Sequence, residues 1–126
     1  MGASEVPATQ HIGAVAERTG LSLRTLRHYD EVGLLPPSGR TEGGFRLYTE
    51  QDVERLLVIR RMKPLGFTLE EMREVLDVVD RLAADPADAA PRATLERYVA
   101  QARERRADLA RRLGMADEFI DLLRSV

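Results

Sequence analysis

Arg24, Thr25, Arg27 and His28 fall within five residues of the stretch Leu21-Ser22-Leu23-Arg24-Thr25-Leu26-Arg27-His28-Tyr29-Asp30. On a helix, residues three and four apart are neighbours on one side. This spacing therefore gathers two guanidiniums, a hydroxyl and an imidazole on a single exposed face. Such a set suits duplex DNA. Arg grips a phosphate or takes both acceptors of guanine in the major groove, and Thr meets phosphate or the thymine methyl. Tyr29 can give its hydroxyl to a phosphate while its ring packs inward. Taken alone, the same residues fit a solvated Arg-rich helix equally well.

A second element shifts that balance toward DNA. Phe45-Arg46-Leu47-Tyr48 alternates with period two, so Arg46 and Tyr48 share one strand side, with Arg40 across a turn at Gly43-Gly44. A wing of this kind beside a recognition helix reaches the neighbouring minor groove or backbone. Arg60, Arg61 and Lys63 close the third helix, where they either meet phosphates or complement the helix C-terminus. The expected DNA-contact set is Arg24, Thr25, Arg27, His28, Tyr29, Arg40, Arg46, Tyr48, Arg60 and Lys63. Catalysis has no comparable support, and the chain is not expected to be an enzyme. There is no Ser/His/Asp set, paired-carboxylate pocket or Gly-rich phosphate loop, and Glu70-Glu71 reads as a helix cap. His11 and His28 sit on different elements and Cys is absent, so neither a metal site nor a cofactor is expected.

These side chains need elements to hold them. Ile12, Val15 and Ala16 mark a first helix over about Ile12 to Arg18, and Gly20 supplies a tight turn. Ser22 caps a second helix, Leu23, Leu26 and Val32 face inward, and Gly33 ends it. Two short helices about a glycine turn form a helix-turn-helix. Pro36-Pro37 forces extended chain into the wing. Thr49 caps a third helix carrying Val53, Leu56, Leu57, Ile59 and Met62, which stops at Pro64. Thr68-Leu69-Glu70-Glu71 is a capping box for a fourth helix, Leu69 to Leu82, with Met72, Val75, Leu76 and Val79 as its apolar series.

After an Ala/Asp/Pro linker, a long helix begins near Pro91 and spans about 45–50 Å at about 1.5 Å per residue. Leu95, Ala102, Leu109, Ala116 and Leu123 recur every seven residues, with Val99, Leu113 and Ile120 offset by four and an interruption at Arg106. The phase survives Gly114, so the helix is expected to be continuous. Helices one to four are committed to a small core, so this seam is expected to be covered by a second copy. The dimerisation set is Leu95, Val99, Ala102, Leu109, Leu113, Ala116 and Ile120.

Composition sets the outer bounds. The 126 residues are 44% hydrophobic but only 5% aromatic, which points to one small aliphatic core. A charged fraction of 32% at helical spacing favours a soluble, mostly α protein. Without Cys, disulfides and thiol chemistry are excluded. No apolar run approaches the ~20 residues of a membrane span, and no secretory signal is evident at the start, so a cytoplasmic protein is expected. Net charge is −2, yet eight of the nine bases in residues 1–66 lie between Arg24 and Lys63.

Four ordered motifs carry a family resemblance: Ile12-Gly13-Ala14-Val15-Ala16, Leu26-Arg27-His28-Tyr29-Asp30-Glu31-Val32-Gly33-Leu34-Leu35, Phe45-Arg46-Leu47-Tyr48 and Leu65-Gly66-Phe67-Thr68-Leu69-Glu70-Glu71. Over about residues 11 to 80 the chain resembles the MerR family of bacterial transcription regulators. The resemblance implies a winged helix-turn-helix, a homodimer joined by an antiparallel coiled coil, and promoter DNA that is bent and untwisted for RNA polymerase. It matches Arg24, Thr25, Arg27, His28 and Tyr29 to recognition-helix contacts, and Arg46 and Tyr48 to wing contacts. His28 stands where tyrosine is common. Metal- and redox-sensing members carry cysteines that this chain lacks, and with the sequence reaching Val126 the large effector domain of drug-binding members is not expected.

The expected fold is mostly α. It has a disordered leader (1–10), a winged helix-turn-helix DNA-binding domain with a short β-hairpin wing (11–82), a linker (83–90) and a long C-terminal coiled-coil dimerisation helix (91–126). The expected function is a dimeric, sequence-specific transcription regulator with promoter DNA and a second copy as partners. The competing expectation is a coiled-coil protein-interaction module that has lost operator binding.

Overall fold

The computed structural model describes residues 8–126, in the order β1 (Thr9–His11), α1 (Ile12–Thr19), α2 (Leu23–Glu31), β2 (Gly39–Arg40), β3 (Arg46–Thr49), α3 (Glu50–Met62), a 3-10 turn (Lys63–Leu65), α4 (Leu69–Ala84) and α5 (Ala89–Arg124). The chain divides into two compact units, one ending at Leu76 and one beginning at Asp77.

In the first unit, local capping chemistry sets the helix limits. Gly20 ends α1 at φ 70°, and its N–H donates to the Ala16 carbonyl at 2.9 Å. Ser22 caps α2, where its Oγ accepts from the Thr25 N–H at 3.0 Å. At the far end Gly33, φ 71°, donates to the Asp30 carbonyl, and Leu34 donates to that of Tyr29. This pair of bonds is a Schellman closure. Thr49 and Asp52 form a reciprocal capping box on α3, and Thr68 and Glu71 form one on α4. Pro64 stops α3, as expected from sequence, and the chain passes through the 3-10 turn to Gly66.

The core comprises Val15, Leu26, Tyr29, Leu34, Leu35, Tyr48, Val53, Leu56, Ile59 and Met62, with Phe67, Met72 and Leu76 from the following segments. Two expected inward residues face outward instead. Leu23 is 40% exposed because it opens α2 before the first buried turn, and Val79 is 38% exposed while its neighbour Val78 is buried.

The wing is one part of a three-stranded antiparallel sheet, ordered β1-β3-β2. Arg40 lies opposite Arg46 in one ladder, and Gln10 opposite Tyr48 in the other. The leader expected to be disordered through residue 10 therefore contributes Thr9 and Gln10 to β1. That strand covers the edge of β3 that a two-stranded hairpin leaves unpaired. The rest of the leader, residues 1–7, lies outside the described residues.

In the second unit, α5 is 36 residues and about 54 Å long at about 1.5 Å per residue. It is continuous through Gly114, as expected from sequence. The expected linker is shorter than 83–90. Helix α4 runs to Ala84, and Asp88 takes the N-cap position of α5, leaving only residues 85–88 outside helices. Asp85 accounts for the tightness of this turn, because its side chain accepts from the Ala87 N–H and its carbonyl from the Asp88 N–H. Val78, Pro91 and Tyr98 are buried, and Arg81 pairs with Asp88 at 3.7 Å. Among the described residues no helix is long and apolar enough to cross a membrane.

Candidate nucleic-acid interface

Helix α2 divides its residues by face. Leu26 and Tyr29 are buried, which leaves Arg24, Arg27 and His28 exposed. Thr25 is half-buried, and its hydroxyl accepts from Ser22 Oγ at 2.9 Å. The exposed face lines an open groove of about 1010 Å³, closed on its other side by Lys63, Phe67, Thr68 and Met72. Arg24, Thr25, Arg27, His28, Tyr29 and Lys63 therefore meet around one groove, with Glu31 as its acidic lining residue. The first turn of α4 adjoins it, and a helix N-terminus favours an anion.

Arg60 lies elsewhere. Its guanidinium packs over the α1–α2 turn, 3.5 Å from where a Cβ on Gly20 would sit. Arg61 folds back onto the Leu57 carbonyl. Lys63 is thus the cation of the α3 terminus that reaches the groove.

In the wing, Arg46 Nε donates to Asp30 Oδ2 at 2.7 Å and Arg40 Nη2 donates to the same oxygen at 2.8 Å. Arg40 also reaches the Gly44 carbonyl at 3.4 Å. Asp30 lies in the last turn of α2, so one carboxylate ties both wing guanidiniums to that helix. Burial pushes the Asp30 carboxyl up. The hydrogen bonds and charges of Arg46 and Arg40 outweigh it and hold the group below the usual carboxylate range. The bond to Asp30 in turn holds Arg46 further into its charged form.

Tyr48 corrects an expectation. Alternation places it on the Arg46 side, but that side faces the interior at position 48, and the ring is fully buried. Its hydroxyl has no hydrogen-bond partner among the described residues, and burial pushes the phenol up. Tyr48 is a core residue and offers no surface to DNA. Tyr29 is also buried, although it borders the groove, and its phenol is pushed up for the same reason.

Three connections have no local spacing in the sequence to announce them. Asp30 stands 16 residues from Arg46, too far for a local spacing rule to link them. Arg18 grips Glu50 through two bonds of 2.6 and 2.7 Å, joining the end of α1 to the start of α3. The side signal was an acidic residue facing a basic one at opposite helix ends, and it has no fixed spacing. Arg73 donates to the Val32 carbonyl, which anchors α4 to the C-terminus of α2. Among the described residues no group of three or more His, Cys, Asp or Glu side chains is arranged to hold a metal ion.

On α5, Leu95, Val99 and Ala102 are half-buried, whereas Leu109, Leu113, Ala116 and Ile120 are exposed. Met115, Phe119 and Leu122 form an adjacent exposed series at i, i+4 and i+7, which the heptad reading omitted.

The fold and sequence match known proteins. The family model described as MerR HTH family regulatory protein covers residues 11–78, and that described as MerR, DNA binding covers residues 53–115. The mercuric resistance operon regulatory protein of Bacillus cereus is 49% identical over 70 residues, 56% of this chain and 53% of that protein. The transcriptional activator TipA of Streptomyces coelicolor is 45% identical over 86 residues, 68% of this chain and 31% of that protein. The chain thus spans about half or less of the length of these curated relatives, which are regulators and not enzymes. Among solved structures, HiNmlR, a MerR family regulator lacking the sensor domain and bound to promoter DNA, superposes with a TM-score of 0.72. It is 26% identical, over 94% of this chain and 92% of that one. A MerR family regulator from Bacillus cereus gives a TM-score of 0.65 at 29% identity, over 90% of this chain and 76% of that one. With more than half of its length matched by the helix-turn-helix model, the chain belongs to the MerR family of regulatory proteins.

Proposed function

We infer that this chain is a homodimeric, sequence-specific transcription regulator that binds promoter DNA and acts by bending and untwisting it, reaching RNA polymerase indirectly through the promoter. Residues 11–82 read the DNA, 91–126 pair two copies, and the work is done in the cytoplasm. The observation that carries this reading is the convergence of Arg24, Arg27, His28 and Lys63 on one groove beside a wing whose Arg40 and Arg46 are tied to the recognition helix. Arg27 is assigned to base edges and Lys63 to a phosphate. Two such helices on a dimer meet successive major grooves, and bending or untwisting brings the half-sites into register.

The test is recovery of bound fragments from genomic DNA, followed by footprinting and a bend assay on the selected duplex. Arg27→Ala is expected to weaken specific binding by about 5–150-fold, or about 1–3 kcal/mol. Lys63→Ala is expected to weaken all sequences alike and to flatten the salt dependence. A folded Arg27→Ala protein with undiminished operator affinity removes the base-reading assignment. The exposed apolar residues of α5 support a second reading, a protein-interaction module. A stable heterocomplex with neither homodimer nor DNA shift decides for it.

A further inference from the structure

Among the described residues up to Leu76, the large apolar side chains are buried or half-buried, apart from Leu23 at 40% exposed and Phe45. Phe45 is the clear departure, 70% exposed at the tip of the wing. Its position is not loose. The Thr41 N–H donates to the Phe45 carbonyl at 2.9 Å, and the Phe45 N–H donates to Thr41 Oγ1 at 3.1 Å. The Gly44 N–H closes the turn on the Thr41 carbonyl at 2.9 Å, with Gly44 at φ 84°. One edge of the ring rests over Gly43, where an added Cβ would stand 3.2 Å from ring Cε2. The hairpin thus fixes an aromatic ring with most of its surface in water, an arrangement that contributes little to folding.

The adjacent residues indicate what the ring meets. Phe45 directly precedes Arg46, which stands opposite Arg40 in the ladder. Two cations side by side attract a sugar–phosphate backbone, and the surface between successive phosphates is deoxyribose, which presents C–H groups to an apolar ring. We propose that Phe45 is a DNA-contact residue, packing on deoxyribose at the minor-groove edge beside the wing. This rests on the reading of the chain as a DNA-binding regulator and adds a contact that carries no charge. Apolar contact releases water and not counterions, so it strengthens binding without changing the salt dependence.

The experiment uses the full chain and a duplex that the wild-type protein selects from a randomised pool. Phe45→Ala is expected to lose about tenfold in affinity at every salt concentration, with the slope of log K against log salt unchanged. Phe45→Leu, which keeps an apolar surface, is expected to stay within about threefold of wild type. Hydroxyl-radical footprinting reads deoxyribose directly, and Phe45→Ala is expected to lose protection only at the sugars beside the wing. Gly43→Ala, which displaces the ring, is expected to weaken binding in the wild-type background and to have no further effect on Phe45→Ala. Because the ring is mostly exposed, both Phe45 variants should melt as wild type does. Unchanged affinity and protection in Phe45→Ala overturn the proposal alone, and so does an affinity loss that flattens the salt slope. Absence of any wild-type footprint overturns it together with the DNA-binding reading.

Discussion

Arg46 Nε lies 2.7 Å from Asp30 Oδ2, so the wing is joined to α2 through a single carboxylate oxygen that Arg40 shares at 2.8 Å. Arg40 and Arg46 are cross-strand partners, and like charges opposite one another destabilise a ladder. Asp30 offsets one of the two charges and leaves a net positive wing in a fixed orientation. Its side chain is only 13% exposed, so the link is better shielded from solvent than an ordinary surface ion pair.

Asp30→Ala is expected to cost about 1 kcal/mol of folding stability, the scale of a partly exposed charged hydrogen bond. It is also expected to weaken operator binding by about tenfold, because a freed wing loses orientation before it meets DNA. Urea unfolding and a binding titration measure the two effects. A variant that binds the operator as tightly as wild type would show that DNA itself orients the wing.

The same link sets a pH dependence. The folded Asp30 carboxyl titrates below its ordinary value of about 3.9. Its stabilisation is therefore complete above that value and is lost as pH falls through the depressed folded one. Glu50 follows the same direction, because the hydrogen bond from Arg18 outweighs its desolvation. Stability should be flat from neutral pH to about pH 5 and should decline below about pH 4. Asp30→Asn should show a shallower acid decline than wild type in thermal melts, and parallel curves would exclude Asp30 as a contributor.

Tyr48→Phe separates the core role of Tyr48 from the wing contact that its sequence position suggested. The hydroxyl is buried and has no partner among the described residues, so its removal relieves a desolvated polar group and keeps the ring. Stability is expected to be unchanged or to rise by up to about 1 kcal/mol, with operator affinity unchanged. A tenfold loss of affinity in a folded Tyr48→Phe protein would return the hydroxyl to the DNA surface.

Tyr48 also illustrates what the sequence could carry. Helix limits were legible because their causes are local: Ser22, Thr49 and Thr68 cap within three residues, and Gly33 and Pro64 act where they stand. The side shared by Arg46 and Tyr48 was legible from alternation. Whether that side faces the core depends on register with β1, a three-residue strand 38 residues away and too short to show a period. The groove face of α2 was legible because Leu26 and Tyr29 fix the opposite face. The Asp30 link was not, because it arises only when β2 and β3 fold back onto the helix. On α5 the seven-residue repeat identified a seam, but it gave no sign that Tyr98 is buried or that exposure widens beyond Leu109.

That widening makes the pairing of two copies testable. Leu113 is 64% exposed and Ile120 50% exposed in the single chain, so the fold itself gains little from either side chain. A seam that is covered only by a second copy predicts that Leu113→Asp and Ile120→Asp leave the first unit folded and its thermal transition unchanged. Each places a charge in the centre of an apolar contact and should convert the dimer to a monomer in sedimentation. DNA binding should then fall by at least about 100-fold, because the two half-sites no longer act as one linked ligand. The footprint should shrink to a half-site or vanish. The cause is loss of linkage and not of chemistry, so fusing the monomeric variant to an unrelated dimerisation helix should restore part of the affinity. A Leu113→Asp protein that remains dimeric with a full footprint would move the dimer interface away from this seam.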